Sequence, residues 1–191
     1  MLKISFHDRF GRGEQKYLGT VEQGKEDFPL LDATIKASPD GETILFDISG
    51  FELFGYSYAK QTIRKVLLKA KAGQYGNRYF LVYARSEFET DDLSDALSQK
   101  KVAMLCSSSK NLKLFYDRYF VIGELADVYR DTQNYIVQKV EVTSGQMQKA
   151  LNLESVQTAS KRISKLAEQR LVRWEAMPSR ERNVLLCKRI E

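Results

Sequence analysis

Residues 141–174 read EVTSGQMQKALNLESVQTASKRISKLAEQRLVRW, and this stretch decides the fold of the C-terminal quarter of the chain. Thr143 is a favourable N-cap, placed just before a short helix that runs to Leu151. Residues 152–153 form a tight connection, and residue 154 or 155 opens a second helix. The apolar core positions of that helix are spaced 0, +3, +7 and +10: Val156, Ala159, Ile163 and Leu166. The stretch therefore predicts two helices joined by a tight turn.

A hairpin is predicted after the second helix. One strand begins at Leu171–Trp174, Met177–Arg182 forms a turn, and Asn183–Cys187 forms the return strand. Two helices followed by such a hairpin are typical of a helix-turn-helix domain with a wing. Arg180 and Arg182 lie in the predicted turn, where they suit the phosphate backbone or the minor groove of DNA.

The outward positions of the second helix and the wing are short, polar and basic. Such side chains fit the major groove, which is roughly 12 Å wide, and meet base edges and phosphates. The predicted DNA-binding residues are Thr143, Ser155, Gln157, Thr158, Lys161, Arg162, Lys165, Arg173, Arg180 and Arg182.

The segment from Thr143 to Ile190 resembles the winged helix-turn-helix domains of bacterial regulators of the multiple-antibiotic-resistance (MarR) and related types. The matching positions are Thr143-Ser144-Gly145-Gln146, Ala150-Leu151-Asn152-Leu153, Gln157-Thr158-Ala159-Ser160, Leu166 and Leu171-Val172. The resemblance implies a winged helix that binds DNA. The chain departs from it at Arg170, where those regulators usually place a glycine. An arginine must there be accommodated without an easy left-handed turn.

The first half of the chain alternates strand and helix patterns. Strands are predicted over Leu2–Phe6, Lys16–Val21, Thr43–Ile48, Tyr79–Tyr83 and Val102–Cys106. Helices are predicted over Tyr58–Lys71 and Asp91–Lys100. The nearly continuous apolar run Thr43–Ile48 is typical of a central strand buried on both faces. The order strand, helix, strand, helix, strand predicts an α/β fold with a largely parallel sheet and right-handed crossovers.

The pattern changes after Cys106. Leu112–Phe115 and Tyr119–Ile122 are predicted as short strands, and a helix follows from Ile122 to Ile136. No linker rich in glycine, serine or proline separates the two halves. We therefore predict an α/β domain over residues 1–120 and a winged helix-turn-helix domain, including the connecting helix, over residues 121–191.

Residues Ile44 to Cys106 resemble the STAS fold, the small α/β domain of bacterial anti-sigma-factor antagonists, with a mixed sheet and helices. The likeness rests on the strand and turn Ile44–Phe51 (ILFDISGF) and on Gly55–Ala59 (GYSYA), where a helix begins. In the antagonists a partner kinase phosphorylates a serine at this turn, and Ser57 is the closest match. The resemblance thus implies phosphorylation or partner contact at Ser57, whereas the residues alone favour a helix N-cap there.

Charge and hydropathy narrow the class of protein. The net charge is +5. Residues Glu141 to Glu191 contain ten basic and six acidic residues, so +4 of this charge lies in the last quarter of the chain. A local basic excess is typical of proteins that bind a polyanion. No apolar run approaches the ~20 residues that a membrane span needs. The N-terminus lacks the apolar block of a signal peptide, so we expect a cytoplasmic protein.

Catalytic and metal-binding patterns are missing from the sequence. His7 is the sole histidine, and Cys106 and Cys187 lie in apolar contexts that predict buried thiols. We therefore expect no metal site, no cofactor and no enzymatic activity.

Two functions remain. The first is a DNA-binding transcriptional regulator whose STAS-like half senses a signal or binds a partner, and which acts as a homodimer on a pseudo-palindromic site. The alternative is a protein–protein adaptor in a partner-switching pathway of the kinase and anti-sigma type, without direct DNA binding.

Overall fold

A computed structural model gives the fold of this chain. It describes residues 1–11, 16–177 and 184–190, apart from the side chains at 112–113, 175–177 and 184–187. The chain divides into two compact units, Met1–Glu124 and Leu125–Glu191.

The first unit contains strands and helices in alternation. Its strands are β1 (Leu2–Ser5), β2 (Tyr17–Leu18), β3 (Thr43–Asp47), β4 (Leu53–Phe54), β5 (Tyr79–Tyr83), β6 (Ala103–Ser107) and β7 (Tyr119–Gly123). Its helices are α1 (Phe6–Phe10), α2 (Val21–Ala37), α3 (Tyr56–Gln61), α4 (Ile63–Lys71), α5 (Asp91–Ser98) and α6 (Leu112–Phe115).

Five of the described strands form one sheet in the order β1-β3-β5-β6-β7. The first four are parallel, and β7 runs antiparallel to β6. The prediction of an α/β protein with a largely parallel sheet is confirmed. Every residue of β3 and of β6 is buried, so these strands are covered on both faces, as their apolar runs predict.

The core of the first unit joins one face of the sheet to the helices. Phe46 of β3 lies in one apolar cluster with Ile35 of α2, Ile63 of α4 and Leu93 of α5. Phe6 begins α1 inside this cluster, and its ring contacts four other rings at centroid distances of 5.1 to 6.3 Å: Phe10, Phe46, Phe54 and Tyr58. These edge-on and tilted contacts fix α1, β3 and α3 against one another.

The strand predicted over Lys16–Val21 is largely wrong, because only Tyr17–Leu18 are extended and α2 follows at once. Thr20 begins α2 with a capping box. Its Oγ1 accepts the N–H of Gln23 at 3.2 Å, and the Gln23 side chain accepts the N–H of Thr20 at 3.1 Å.

The sequence pattern did not predict α2, because Gly24 and Pro29 lie inside it and both residues disfavour helices. Tertiary packing explains the glycine. A Cβ at Gly24 would lie 2.6 Å from the Cβ of Gln61, so only glycine lets α2 approach α3 this closely.

Two further segments differ from the sequence patterns. The helix predicted over Tyr58–Lys71 is split into α3 and α4 at Thr62, whose backbone leaves the helical region. Leu112–Phe115, predicted as a strand, is helical. The strand predicted at Tyr119–Ile122 is confirmed as β7.

The second unit contains helices α7 (Asp127–Lys139), α8 (Ser144–Ala150) and α9 (Val156–Glu168) and strands β8 (Glu141–Thr143), β9 (Arg173–Met177) and β10 (Val184–Lys188). The described strands pair antiparallel in the order β8-β10-β9. Helix α7 begins five residues later than Ile122, the predicted start. Among the described residues, no helix combines the length and apolar character required to cross a membrane.

Candidate nucleic-acid interface

Helix α8 is fixed at its start by a second capping box. Thr143 is its N-cap, as predicted: the Thr143 Oγ1 accepts the N–H of Gln146 at 3.2 Å, and the Gln146 Oε1 accepts the N–H of Thr143 at 2.8 Å. The hydroxyl of Thr143 therefore takes part in the cap of α8.

The turn between α8 and α9 is held by backbone and side-chain hydrogen bonds. Asn152 adopts a left-handed conformation with φ of 48°, which asparagine tolerates better than most residues. The N–H of Leu153 donates to the carbonyl of Gln148 at 2.9 Å, and the Gln148 side chain donates to the carbonyl of Leu153 at 3.0 Å. This closes the end of α8 and sets the direction of α9.

Ser155 is the N-cap of α9, and its Oγ accepts the N–H of Thr158 at 3.1 Å. Ser160 donates to the Oγ of Ser144 on α8 at 3.0 Å, beside the fully buried Ala159. A small residue at this point lets the two helices approach closely.

The core positions predicted for α9 are buried except for one. Ala159, Ile163 and Leu166 are inaccessible, as predicted, but Val156 is 49% exposed, so its place in the core is wrong. Val156 is the first residue of α9.

The predicted DNA-binding residues of α9 fall on two different sides of the helix. Gln157 and Lys161, one turn apart, are exposed and lie opposite the buried stripe. Thr158 and Arg162 are half-buried on the side nearest α7, where an Arg162 Nη1 donates to the carbonyl of Val128 at 3.3 Å.

Lys165 continues the exposed face by a further turn, but it carries an acidic neighbour. Its Nζ lies 3.0 Å from an oxygen of Glu168, and this hydrogen bond raises the pKa of Lys165 above its ordinary value. The lysine remains charged at neutral pH, and the carboxylate of Glu168 partly compensates its positive charge.

A cleft of about 690 Å³ lies between α7 and the segment from the end of α8 into α9. Its polar lining includes Asn134, Tyr135, Gln138, Asn152, Thr158 and Arg162. This cleft was not predicted from the sequence, although the polar residues of α7 recur at helical spacing. The polar residues of α7 line a cleft only because α9 packs beside them.

The hairpin places Arg173 at the start of β9, half-buried, with the exposed Trp174 beside it. Strands β9 and β10 pair from Arg173–Lys188 to Met177–Val184. This locates the return strand where the sequence predicts it. Arg180 and Arg182 lie outside the described residues.

The end of α9 shows how the chain accommodates an arginine in place of the glycine. Arg170 is left-handed, with φ of 60°, and its N–H donates to the carbonyl of Ala167 at 2.9 Å. The N–H of Leu171 donates to the carbonyl of Leu166 at 3.0 Å. The helix thus ends with the hydrogen bonds of a glycine terminator, at the steric cost of a Cβ.

Ser57 lies in the first turn of α3, half-buried, and is not the N-cap that the sequence predicts. The N-cap is Gly55, and the first free N–H of the helix, that of Tyr56, donates to the carboxylate of Asp92 at 3.1 Å. The positive end of α3 therefore already holds a negative charge.

A second polar cluster lies at the carboxyl end of β3. The Nζ atoms of Lys3 and Lys110 each lie 3.0 Å from an oxygen of Asp47, and the Ser49 hydroxyl donates to the same carboxylate at 2.6 Å. Burial acts to raise the pKa of Asp47, but these hydrogen bonds outweigh it and hold the pKa below its ordinary value. The order of the described strands advances in one direction, without the reversal at which open α/β sheets form a ligand crevice.

Metal and thiol chemistry find little support in the described part of the chain. No group of three or more histidine, cysteine or acidic side chains there could hold a metal ion. Cys106 is buried, as predicted, and burial raises the pKa of its thiol. Cys187 lies among the residues whose side chains are not described.

Comparisons of the chain with known protein families, with curated proteins and with solved structures found no match.

Proposed function

We propose that this chain is a DNA-binding transcriptional regulator. Its second unit acts as a winged helix-turn-helix, and its first, STAS-like unit receives a signal or a partner. The proposal is carried by one observation: Gln157 and Lys161 are exposed side by side on α9, while the opposite face of that helix is buried. A helix so presented has the shape and the chemistry to enter the major groove.

Under this proposal the predicted residues have different roles. Gln157 pairs with an adenine edge, while Lys161, Lys165 and Arg173 contact the phosphate backbone. Thr158 and Arg162 act at the flank of α9. Thr143 and Ser155 contribute by capping α8 and α9, and Arg180 and Arg182 stay candidates for backbone contacts at the wing.

The test measures binding of the full chain to a labelled random-sequence duplex over a series of salt concentrations. The affinity should fall steeply as salt rises, and Lys161→Gln should reduce the slope of log K against log salt by about 0.9, the value for one phosphate contact. Lys100→Gln, which removes an exposed charge from the first unit, is the matched control. Absence of duplex binding at low salt, or wild-type binding by Lys161→Gln, would contradict the proposal.

The same proposal includes a homodimer. Winged helix-turn-helix proteins that read pseudo-palindromic sites place two recognition helices about one helical turn of DNA apart. A duplex selected from a random pool should therefore carry two half-sites and bind two chains, as measured by sedimentation. A single half-site bound by a single chain would remove the dimer from the proposal.

The adaptor function is the second candidate, and an exposed aromatic residue favours it. Phe88 is 86% exposed and borders a cavity of about 240 Å³ with Leu53, which is also exposed. An exposed ring beside a cavity offers a contact that a protein partner could cover. Adaptor function without DNA binding predicts no duplex affinity at low salt, so the salt series separates the two candidates.

Phosphorylation at Ser57 is the switch that this second candidate would use. A phosphate there would enter the first turn of α3, whose free N–H groups attract anions but where Asp92 already lies. The intact mass of the chain, after incubation with native lysate and ATP, should gain one phosphate that Ser57→Ala abolishes. A mass that stays unchanged would rule out the switch.

A further inference from the structure

Phe28 on α2 carries two lysine ammonium groups over its ring. The Nζ of Lys65 lies 5.2 Å and the Nζ of Lys69 lies 5.0 Å from the ring centroid, both reaching over from α4. Each cation is attracted to the negative face of the ring, although the two cations repel one another. The ring thus gathers positive charge on a surface formed by α2 and α4.

An ion pair compensates part of this charge. Asp32 takes the Nζ of Lys69 at 2.6 Å and that of Lys36 at 2.7 Å, and also accepts the hydroxyl of Tyr75. Lys25 and Lys65 form no ion pair among the described residues, although Glu22 and Glu26 lie on α2 as well. The lysines at 25, 65 and 69 are called the lysine patch below.

Helix α4 also carries a buried cation, whose guanidinium faces α5. Arg64 is 6% exposed, and its Nη1 donates to the carbonyl of Ala96 at 3.3 Å. Its Nε has no hydrogen-bond partner, and no carboxylate among the described residues pairs with it.

Lys65 lies near other positive charges. Partial burial, followed by the charges of Lys25, Lys69 and Arg64, holds the pKa of Lys65 below its ordinary value. An anion on the lysine patch would relieve this repulsion.

The chemistry of the patch favours phosphate over carboxylate. Ammonium groups act as point charges and bind single phosphate oxygens well, whereas paired recognition of a carboxylate is better served by the fork of an exposed arginine. A phosphodiester strand also repeats its charge every 3.4 Å of axis, so one strand can meet several neighbouring lysines.

We propose that the lysine patch of Lys25, Lys65 and Lys69 around Phe28 is a second polyanion-binding surface, which takes the phosphodiester backbone of DNA. This inference rests on the proposed DNA-binding function. It extends that function to the first unit, which then adds affinity without reading sequence.

The test uses the full chain and the labelled random-sequence duplex. The double variant Lys25→Gln/Lys65→Gln should weaken binding equally for all sequences and reduce the salt slope by about 1.8, since each lost phosphate contact contributes about 0.9. Lys100→Gln/Lys101→Gln removes the same charge from two exposed lysines elsewhere in the first unit and should leave the slope nearly unchanged. The Tm of the patch variant should not fall, because the substitutions relieve repulsion.

The outcomes separate the two proposals. If Lys161→Gln weakens binding and the patch variant keeps the wild-type slope, the patch is overturned and the DNA-binding function stands. If the two control lysines reduce the slope as much as the patch does, the effect is general charge and the patch is again overturned. If poly-glutamate competes with the duplex as well as an equal charge of unlabelled duplex does, the choice of phosphodiester is wrong. If the wild type binds no duplex at low salt, both proposals fail.

Discussion

The two units of this chain are organised by different kinds of interaction. The first is built from long-range pairing: buried parallel strands far apart in sequence meet in one sheet, and Phe6 joins four other rings beneath it. The candidate surface of the second is set by local features, the caps at Thr143 and Ser155 and the left-handed residues Asn152 and Arg170. Stability should therefore depend on packing in the first unit and, in the second, also on single backbone hydrogen bonds.

The largest effect is expected at Phe6. Phe6→Ala removes a fully buried ring and should lower the free energy of unfolding by about 3–5 kcal/mol, measured by urea denaturation followed by circular dichroism. Phe88→Ala makes the same chemical change at an exposed site and should stay within about 0.5 kcal/mol of the wild type. Equal losses for both variants would show that burial is not what distinguishes these rings.

The core of the second unit provides the next test. Ile163→Ala should cost about 2–5 kcal/mol, because Ile163 is inaccessible, whereas Val156→Ala should cost under about 0.5 kcal/mol at its exposed position. Fluorescence of Trp174, the single tryptophan of the chain, follows the unfolding of this unit. A large loss of stability in Val156→Ala would show that Val156 belongs to the core, as the sequence pattern predicts.

The caps should show smaller effects. Thr143→Ala removes the capping box of α8 and should cost about 1 kcal/mol in the same urea experiment, while Thr143→Ser should retain most of that stability. The salt slope of duplex binding should not change, because the Thr143 oxygen is engaged in the cap. A reduced slope without a loss of stability would instead make Thr143 a phosphate contact.

The smallest effect is a gain. Arg170→Gly should stabilise the chain by about 0.5 kcal/mol, because glycine adopts φ of 60° without the steric cost, although it loses more backbone entropy on folding. Gln169→Gly, one residue earlier at φ of −84°, relieves no steric cost and should not stabilise the chain. If both variants lose stability alike, the left-handed turn is not where the strain lies.

The sequence predicted the elements whose patterns are local and strong. The buried strands β3, β5 and β6 are continuous apolar runs, and α9 shows a clean apolar stripe framed by good caps. Helix α2 could not be predicted in this way. Gly24 is required by the closeness of α3, a neighbour whose distance no sequence pattern reveals.

The candidate interface was predictable to the same extent. The periodicity of α9 places Gln157 and Lys161 opposite the core, and the structure agrees. Whether Thr158 and Arg162 join them depends on where α7 packs, and α7 takes the side on which those two residues lie. The start of α3 likewise depends on a residue distant in sequence, because the carboxylate of Asp92 accepts the N–H of Tyr56 there.

The order of the strands in the large sheet has a consequence for synthesis of the chain. The sequence of neighbours β1, β3, β5, β6, β7 is also the order in which these strands leave the ribosome. Each new strand finds its partner at an open edge that already exists, and none must insert between two strands that have paired. The first unit can therefore assemble progressively as its strands are made, and the growing edge of the sheet is the surface that a chaperone would need to shield during synthesis.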